Sequence, residues 1–203
     1  MHTTGKNLFC ARLFAAMLLC IAPIAVRAQS PVVSVEPLAA EDTQAHSLTL
    51  YNTHTAERIT IVYRRGDKFV PEALAKLDFF LRDHQTNEVR HFEPRLYDIL
   101  SDLTASVGHP GGQIDIVCGY RTPKTNESLR AHTSGVAKNS LHIQAQAIDL
   151  RMPGVDTLKL CKAALALARG GVGYYPHSDF IHVDVGRVRQ WCFDCPADLV
   201  AGD

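Results

Sequence analysis

The chain has 203 residues, of which 46% are hydrophobic and 21% charged, and its 21 basic residues balance its 21 acidic residues. This composition is ordinary for a globular domain with a real core, and it excludes a disordered, fibrous or multi-pass membrane protein. It also argues against nucleic acid as a partner, because nucleic-acid-binding domains present a basic surface.

The first 28 residues differ from the rest of the chain. Lys6 and Arg12 precede the apolar run LFAAMLLCIAPIAV, and a plausible cleavage point follows Ala28. A basic start, a short apolar stretch and a small residue at the cleavage point are typical of an export signal. The apolar run is short for a membrane span, and Pro23 interrupts it. The sequence therefore predicts a cleavable signal peptide over residues 1–28, with an uncleaved anchor as the alternative.

Removal of this segment would leave 18 basic and 21 acidic residues and four cysteines, which are Cys118, Cys161, Cys192 and Cys195. An even number of cysteines in an oxidising compartment permits disulfides. The motif CFDC lies in the C-terminal tail, whereas redox pairs of this spacing usually open a helix. The chain has no second C-x-x-C for a four-thiolate zinc site. We predict a structural disulfide, and the sequence leaves its pairing open.

Residues 29–45 have no clear hydrophobic period and contain two prolines, which predicts a linker ahead of a domain over residues 46–203. In chain order, apolar spacing and turn residues predict a β-hairpin over 47–63, helices over 71–85 and 94–107, and a strand over 113–120. A long polar loop is expected over 121–139. It is followed by a strand over 146–152, a helix over 155–168, a glycine-rich turn over 170–176 and a last strand over 179–186. Strands and helices mix without strict β-α-β alternation. The expected fold class is therefore α+β, with a mainly antiparallel central sheet flanked by helices.

Two stretches carry residue types that bind metals. SLHIQAQAIDL contains His142 and Asp149, and SDFIHVDVG contains Asp179, His182 and Asp184. Alternate side chains of a strand share a face, so His182 and Asp184 should point away from the intervening apolar residues. Two histidines and one carboxylate leave the fourth position of a zinc ion open for a water nucleophile, and a further carboxylate can carry its proton. The spacing alone is a weak pattern, and a hydrogen-bonded structural pair is the alternative.

Several motifs resemble those of one enzyme family. SLHIQAQAIDL resembles the S-x-H-x-x-G-x-A-x-D motif of the D-Ala-D-Ala peptidase and hedgehog-like zinc fold, with Ser140, His142 and Asp149 at matching positions and Ala145 in place of the usual glycine. GGVGYYPHSDFIHVDVGRVRQW, LTLYNTHTAE and CGYRTPKTNESLR are similar to the YcbK-like murein endopeptidases within that fold. The resemblance covers roughly residues 46–192.

The resemblance implies that His142, Asp149 and His182 bind Zn²⁺. Related enzymes place a catalytic acidic residue three positions before the last ligand, and Asp179 occupies that position here. The H-x-D pattern of this branch keeps Asp184 as an alternative base or as a hydrogen-bond partner of a histidine.

The resemblance also implies substrate-binding residues. Arg121 in GYRTP would hold the scissile carbonyl or a peptide carboxylate, and Ser140 would hydrogen-bond near the metal or cap its loop. Asn126 would contact the peptide or cap a short helix.

The expected function is that of an exported, periplasmic zinc metallopeptidase that hydrolyses peptide cross-links of peptidoglycan. Two alternatives are a D,D- or L,D-carboxypeptidase acting on stem peptides and a non-catalytic peptidoglycan-binding module. Once the signal peptide is removed, no stable membrane span is expected.

Overall fold

The computed structural model describes residues 44–193 and Cys195. The expected signal peptide and nearly all of the expected linker lie outside these residues, although Ala45 already belongs to the first strand. The described strands are β1 (Ala45–Asn52), β2 (Arg58–Arg65), β3 (Lys68–Phe69), β4 (Gln113–Cys118), β5 (Ala147–Arg151), β6 (Gly171–Tyr175), β7 (Phe180–Asp184) and β8 (Arg189–Cys192). The described helices are α1 (Pro71–Phe80), α2 (Arg95–Ser106), α3 (Pro123–His132) and α4 (Thr157–Leu167), and a 3₁₀ turn spans Leu141–Gln144.

Within this part of the chain the eight strands form one sheet in the order β3-β2-β1-β4-β5-β7-β6-β8. The pairs β1–β4 and β6–β8 are parallel, and the other neighbours are antiparallel. The α+β class is confirmed, but the sheet is mixed, so the prediction of a mainly antiparallel sheet is only partly confirmed. The parallel β1–β4 pair requires a long connection, and here β2, β3, α1 and α2 lie between the two strands.

The two faces of β5 and β7 have different chemistry. Ile148 and Leu150 of β5 pack with Ile181 and Val183 of β7 in the hydrophobic core, against which α2 and α4 also pack. Burying an aliphatic side chain of this size contributes about 1.5–3 kcal/mol to stability. The alternating residues point to the opposite face, as the sequence predicts, and this face carries the polar side chains.

The predicted long loop over 121–139 is wrong in its first half, because residues 123–132 form α3. Pro123 occupies the first turn, and the Thr122 side chain caps the helix by accepting a hydrogen bond from the backbone N–H of Thr125 at 3.1 Å. Asn126 is therefore not the cap. Its side-chain amide instead donates to the carbonyl of Ala137 at 3.1 Å and ties the following loop to the helix.

The predicted glycine-rich turn over 170–176 is also wrong, since it contains β6, and β8 follows the expected last strand. The glycines serve close packing here. A Cβ atom at Gly173 would collide with the indole of Trp191, its neighbour on β8. Glycine in a strand often marks such an approach, and the same residue type also marks turns, so the pattern was ambiguous.

Candidate active site

Three elements bring the proposed metal ligands together. The 3₁₀ turn carries His142, and its start is capped by Ser140, whose hydroxyl accepts from the backbone N–H of His142 at 3.4 Å. Asp149 on β5 and His182 on β7 are paired directly across the antiparallel ladder. All three candidate ligands are almost fully buried, which keeps them in fixed positions.

The ligand atoms form a small triangle. Asp149 Oδ1 lies 3.2 Å from His142 Nε2 and 2.9 Å from His182 Nδ1, and the two nitrogens are 3.1 Å apart. Zinc with ligand distances of about 2.0–2.1 Å in a tetrahedron requires ligand atoms roughly 3.3 Å from one another. The donor set and its spacing therefore fit zinc after an expansion of a few tenths of an ångström.

Both histidines are oriented by a hydrogen bond on the nitrogen that faces away from this triangle. His142 Nδ1 lies 2.8 Å from the carbonyl of Gly119, and His182 Nε2 lies 3.1 Å from Asp184 Oδ2. Each of these nitrogens must carry the proton to donate to its acceptor. When both rings are neutral, the lone pairs of His142 Nε2 and His182 Nδ1 therefore point at the triangle, as ligation requires.

The electrostatics of the cluster favour a charged carboxylate between two imidazoles. Burial by itself would raise the pKa of Asp149, but charge and hydrogen-bond interactions with His142 and His182 hold that pKa far below its usual range. Burial lowers the pKa of His142. Burial also opposes protonation of His182, but hydrogen bonds to Asp149 and Asp184 leave its pKa raised.

Asp184 lies behind His182 and is saturated with donors. Its carboxylate accepts from the backbone N–H groups of Gly171 at 2.9 Å and Gly186 at 2.8 Å, and from both terminal nitrogens of Arg189 at 2.6 and 3.1 Å. Burial would raise the pKa of Asp184, but hydrogen bonds from His182, Arg189 and the two backbone groups lower it well below the usual value. Asp184 is thus a fixed anion that holds His182 in one tautomer.

Asp179 is not part of the buried cluster. It is exposed in the turn between β6 and β7, has a backbone φ of +51°, and its carboxylate accepts a hydrogen bond from the hydroxyl of Thr157 at the start of α4. The structure therefore brings Asp184, but not Asp179, next to a candidate metal ligand.

Arg121 and Ser140 meet on the wall of a cavity of about 460 Å³ that also reaches His142, Asp149 and His182. An Arg121 terminal nitrogen donates to the hydroxyl of Ser140 at 3.1 Å. Arg121 Nε is buried and has no partner among the described residues. Arg121 itself lines the cavity, and a guanidinium there can donate to an acceptor on a bound molecule.

The sequence reasoning missed the position of Cys118. The Sγ atom of Cys118 and ligand atoms of His142 and Asp149 all lie within 4.8 Å of one another, and Cys118 is paired with Asp149 across β4 and β5. Burial, with a further effect of the Asp149 charge, raises the pKa of Cys118 to about 12. The sequence left the pairing of the expected disulfide open; the structure joins Cys192 to Cys195, and Cys118 and Cys161 are free.

The protein has an α+β fold with a mixed sheet, and two histidines and a carboxylate converge on an open cavity. These features define a candidate metal-dependent hydrolase. The family model Peptidase_M15_2, described as "Peptidoglycan L,D-endopeptidase MepK", matches residues 40–191. This chain belongs to that peptidase family, which confirms the resemblance to the murein endopeptidases.

Two relatives illustrate the similarity. "Probable peptidoglycan L,D-endopeptidase MepK" of Haemophilus influenzae (strain ATCC 51907 / DSM 11121 / KW20 / Rd) is 43% identical over 144 residues, which cover 71% of this chain and 77% of the relative. "Peptidoglycan L,D-endopeptidase MepK" of Escherichia coli (strain K12) is 42% identical over 144 residues, covering 71% of this chain and 79% of the relative. Among the residues that the structure describes, no helix has the length and apolar character needed to cross a membrane.

Proposed function

We propose that this protein is a zinc-dependent peptidase that hydrolyses a peptide bond in the cross-links of peptidoglycan. The observation that carries the proposal is the convergence of His142 Nε2, Asp149 Oδ1 and His182 Nδ1 to within 2.9–3.2 Å of one another at an open cavity. Two neutral imidazoles and one carboxylate are a ligand set of catalytic zinc sites, in which a fourth position stays open.

Zinc in this site would supply Lewis-acid activation of a water molecule and of the substrate carbonyl. His142, Asp149 and His182 would hold it. The surrounding residues fix these ligands: the Gly119 carbonyl orients His142, and Asp184 orients His182. Such partners of metal-binding histidines typically change metal affinity or activity by about 10–100-fold when they are mutated.

Arg121 is the proposed substrate-binding group. Its Nε–H is buried and unpaired among the described residues, and one of its terminal nitrogens donates to the Ser140 hydroxyl on the cavity wall. A guanidinium in this position can donate to the scissile carbonyl or to a peptide carboxylate. Ser140 has two proposed roles, since it caps the turn that carries His142 and orients Arg121.

The proton carrier is proposed to be Asp184 or Asp179. Asp184 hydrogen-bonds to His182, so it would act through that histidine. Both of its carboxylate oxygens also accept hydrogen bonds from other donors, including Gly186 and Arg189. Asp179 would first have to leave Thr157 and turn its carboxylate toward the cavity. The neighbouring residues Ser178 and Phe180 line the cavity.

The names of the relatives support the L,D-peptide bond of the cross-link as the target, ahead of the carboxypeptidase alternative. A protein acting on this substrate works outside the cytoplasmic membrane. The proposal therefore includes export to the periplasm, for which the amino-terminal sequence carries the expected signal.

Digestion of purified muropeptides tests the proposal. The protein should convert cross-linked dimers into monomers, lose this activity with a zinc chelator and regain it on addition of zinc. Release of free D-alanine without loss of dimers would favour the carboxypeptidase. Binding of muropeptides without any cleavage, in protein with one zinc ion per chain, would favour the binding module.

A further inference from the structure

Phe193, the first residue after β8, lines part of the cavity. Phe193 donates its backbone N–H to the carbonyl of Tyr174 at 3.0 Å, which extends the pairing of β8 with β6 by one residue. Its side chain lines the cavity together with Tyr175, and the two ring centroids are 5.9 Å apart. Phe193 therefore forms part of the wall of the same cleft that contains the candidate metal ligands.

The Phe193 ring reaches the opposite wall at Gly135, in the loop after α3. A Cβ atom built on Gly135 would lie 2.5 Å from Cε2 of Phe193, so the ring rests directly on the glycine backbone. Gly135 also has a φ of +81°, a conformation that favours glycine. The Phe193–Gly135 contact thus joins two separate walls and closes the cleft at that point.

The disulfide between Cys192 and Cys195 encloses Phe193 in a very short loop. Cross-linking residues on both sides of Phe193 restricts the backbone conformations open to it. The neighbouring β8 residue Trp191 is also fixed, since its indole N–H donates to the Tyr175 hydroxyl at 3.0 Å. The aromatic wall formed by Tyr175, Trp191 and Phe193 is therefore held from both ends.

Tyr175 and Trp191 belong to the region that the family model matches, which ends at residue 191. Both disulfide cysteines and Phe193 lie beyond that region, so the contacts made by Phe193 come from outside the matched range.

We propose that Phe193, held in place by the Cys192–Cys195 disulfide, is a specificity-determining residue that closes one end of the substrate cleft and packs against the bound stem peptide. The inference rests on the proposed peptidoglycan peptidase function. An aromatic ring at the closed end offers apolar contact to the aliphatic parts of the peptide. Among the described residues no hydrogen bond or ring contact links Phe193 to the candidate ligands or to Arg121, so it would act on binding rather than on the reacting atoms.

Steady-state kinetics on a purified cross-linked muropeptide dimer test the proposal. Phe193→Ala should raise KM about tenfold and leave kcat within about twofold, because an aromatic contact is lost while the reacting groups stay in place. Phe193→Leu should recover part of the lost affinity. Zinc content should equal that of the wild type in both variants.

The disulfide is tested without changing the ring. The double variant Cys192→Ser/Cys195→Ser should also raise KM, while Cys161→Ala, which alters a free cysteine in the core, should not. Val188→Ala is the matched apolar control, because Val188 is 65% exposed in the turn before β8. An unchanged KM in Phe193→Ala, or a fall in kcat accompanied by loss of zinc, would overturn the proposal.

Equilibrium binding separates this inference from the proposed function. If the wild type cleaves no muropeptide, titration calorimetry with an uncross-linked stem tetrapeptide still measures affinity. Weaker binding by Phe193→Ala than by the wild type would then support the proposed role of Phe193 and reject the proposed peptidase function. Cleavage by the wild type with identical KM in all variants would support the peptidase function and reject the role of Phe193. Neither binding nor cleavage by the wild type would reject both.

Discussion

Asp149 and His182 are direct partners on adjacent antiparallel strands, and Asp149 Oδ1 lies 2.9 Å from His182 Nδ1. Two of the three candidate ligands are therefore positioned by the register of the sheet and not by a loop. A slip of one residue would move either side chain to the apolar face, so the core that fixes the register also fixes the site. Ligands carried by strands in this way stay close to their productive geometry.

Replacement of Asp149 by Asn should remove most of the bound metal. The amide keeps the size of the carboxylate but loses its charge, and the carboxylate lies between two imidazole nitrogens. We expect zinc affinity to fall by at least about tenfold and muropeptide cleavage to fall with it, since the ligand set then lacks its anion. Metal analysis by mass spectrometry after dialysis checks this, with His132→Ala, an exposed histidine on α3, as control. Full zinc occupancy in Asp149→Asn would show that this carboxylate is not a ligand.

Separate changes of Asp184 and Asp179 distinguish their roles. Asp184→Asn should lower zinc affinity about 10–100-fold and destabilise the fold, because the buried carboxylate holds His182 and accepts from Arg189 and two backbone groups. Asp179→Asn should leave zinc content and stability near those of the wild type, because the side chain is exposed. Zinc content and kcat are measured for each variant.

The proton carrier is the residue whose change lowers kcat at least about a hundredfold while the metal is retained. Such a result for Asp179→Asn would mean that its carboxylate leaves Thr157 during turnover. A normal kcat for both variants under saturating zinc would exclude both residues as the base.

Much of this site could be predicted from the sequence because strand alternation is a local rule. The sequence Ile181-His182-Val183-Asp184 places the two polar side chains on one face without any knowledge of the neighbouring strands. His142 and Asp149 stood out in their own stretch, and the resemblance then grouped them with His182 as one ligand set. The α+β class was likewise accessible, since it depends only on the order of elements.

The features that the sequence did not predict depend on contacts between distant segments. Cys118 reaches the cluster because the ladder between β4 and β5 is irregular just before it, and a bulge of this kind leaves no clear sequence signal. From the sequence alone, the glycines of β6 are interpreted as a turn. Their actual role, which is to let Trp191 pack closely on Gly173, depends on β8, a strand that follows later in the chain. The parallel β1–β4 pair required knowledge of which strands become neighbours.

Asp83 should contribute a pH-dependent part of the stability. It is buried, and its carboxylate accepts from the backbone N–H groups of Thr122 and Gln85, each at 2.8 Å, next to the start of α3 and Arg121. Burial by itself would raise the pKa of Asp83, but hydrogen bonds from Thr125, Thr122 and Gln85 hold the pKa below its ordinary value. A carboxyl group with a depressed folded-state pKa stabilises the protein above the unfolded-state pKa, and this stabilisation is lost as the pH falls through the folded value.

Asp83→Asn should therefore lower the free energy of unfolding by about 1–3 kcal/mol at pH 7, because the amide replaces an acceptor that serves several donors. The difference from the wild type should shrink below about pH 4, where the carboxyl group of the unfolded chain becomes protonated. Urea unfolding at neutral and acidic pH measures both quantities. Asp67→Asn, in an exposed turn, is the control and should show no such dependence. A difference that stays constant down to the acid limit would contradict the assignment.

Ala145 occupies the position where the resembling motif has glycine, and the structure gives the reason for that glycine. Ala145 ends the 3₁₀ turn of His142 in the left-handed conformation, with φ of +54° and ψ of 42°. Ala145→Gly would relieve about 1–2 kcal/mol of backbone strain. It would also remove a fully buried methyl group, worth about 0.8 kcal/mol, and increase the freedom of the unfolded chain by about 0.4–1 kcal/mol.

These opposing terms predict a change in unfolding free energy within about 1 kcal/mol for Ala145→Gly. Ala145→Val, in contrast, should destabilise by more than about 2 kcal/mol, because a β-branched residue disfavours this conformation and overfills the core. Thermal unfolding of both variants, compared with the wild type, measures the difference. A loss above about 2 kcal/mol in Ala145→Gly would mean that the methyl contact outweighs the strain, and the left-handed turn would then not explain the glycine of the motif.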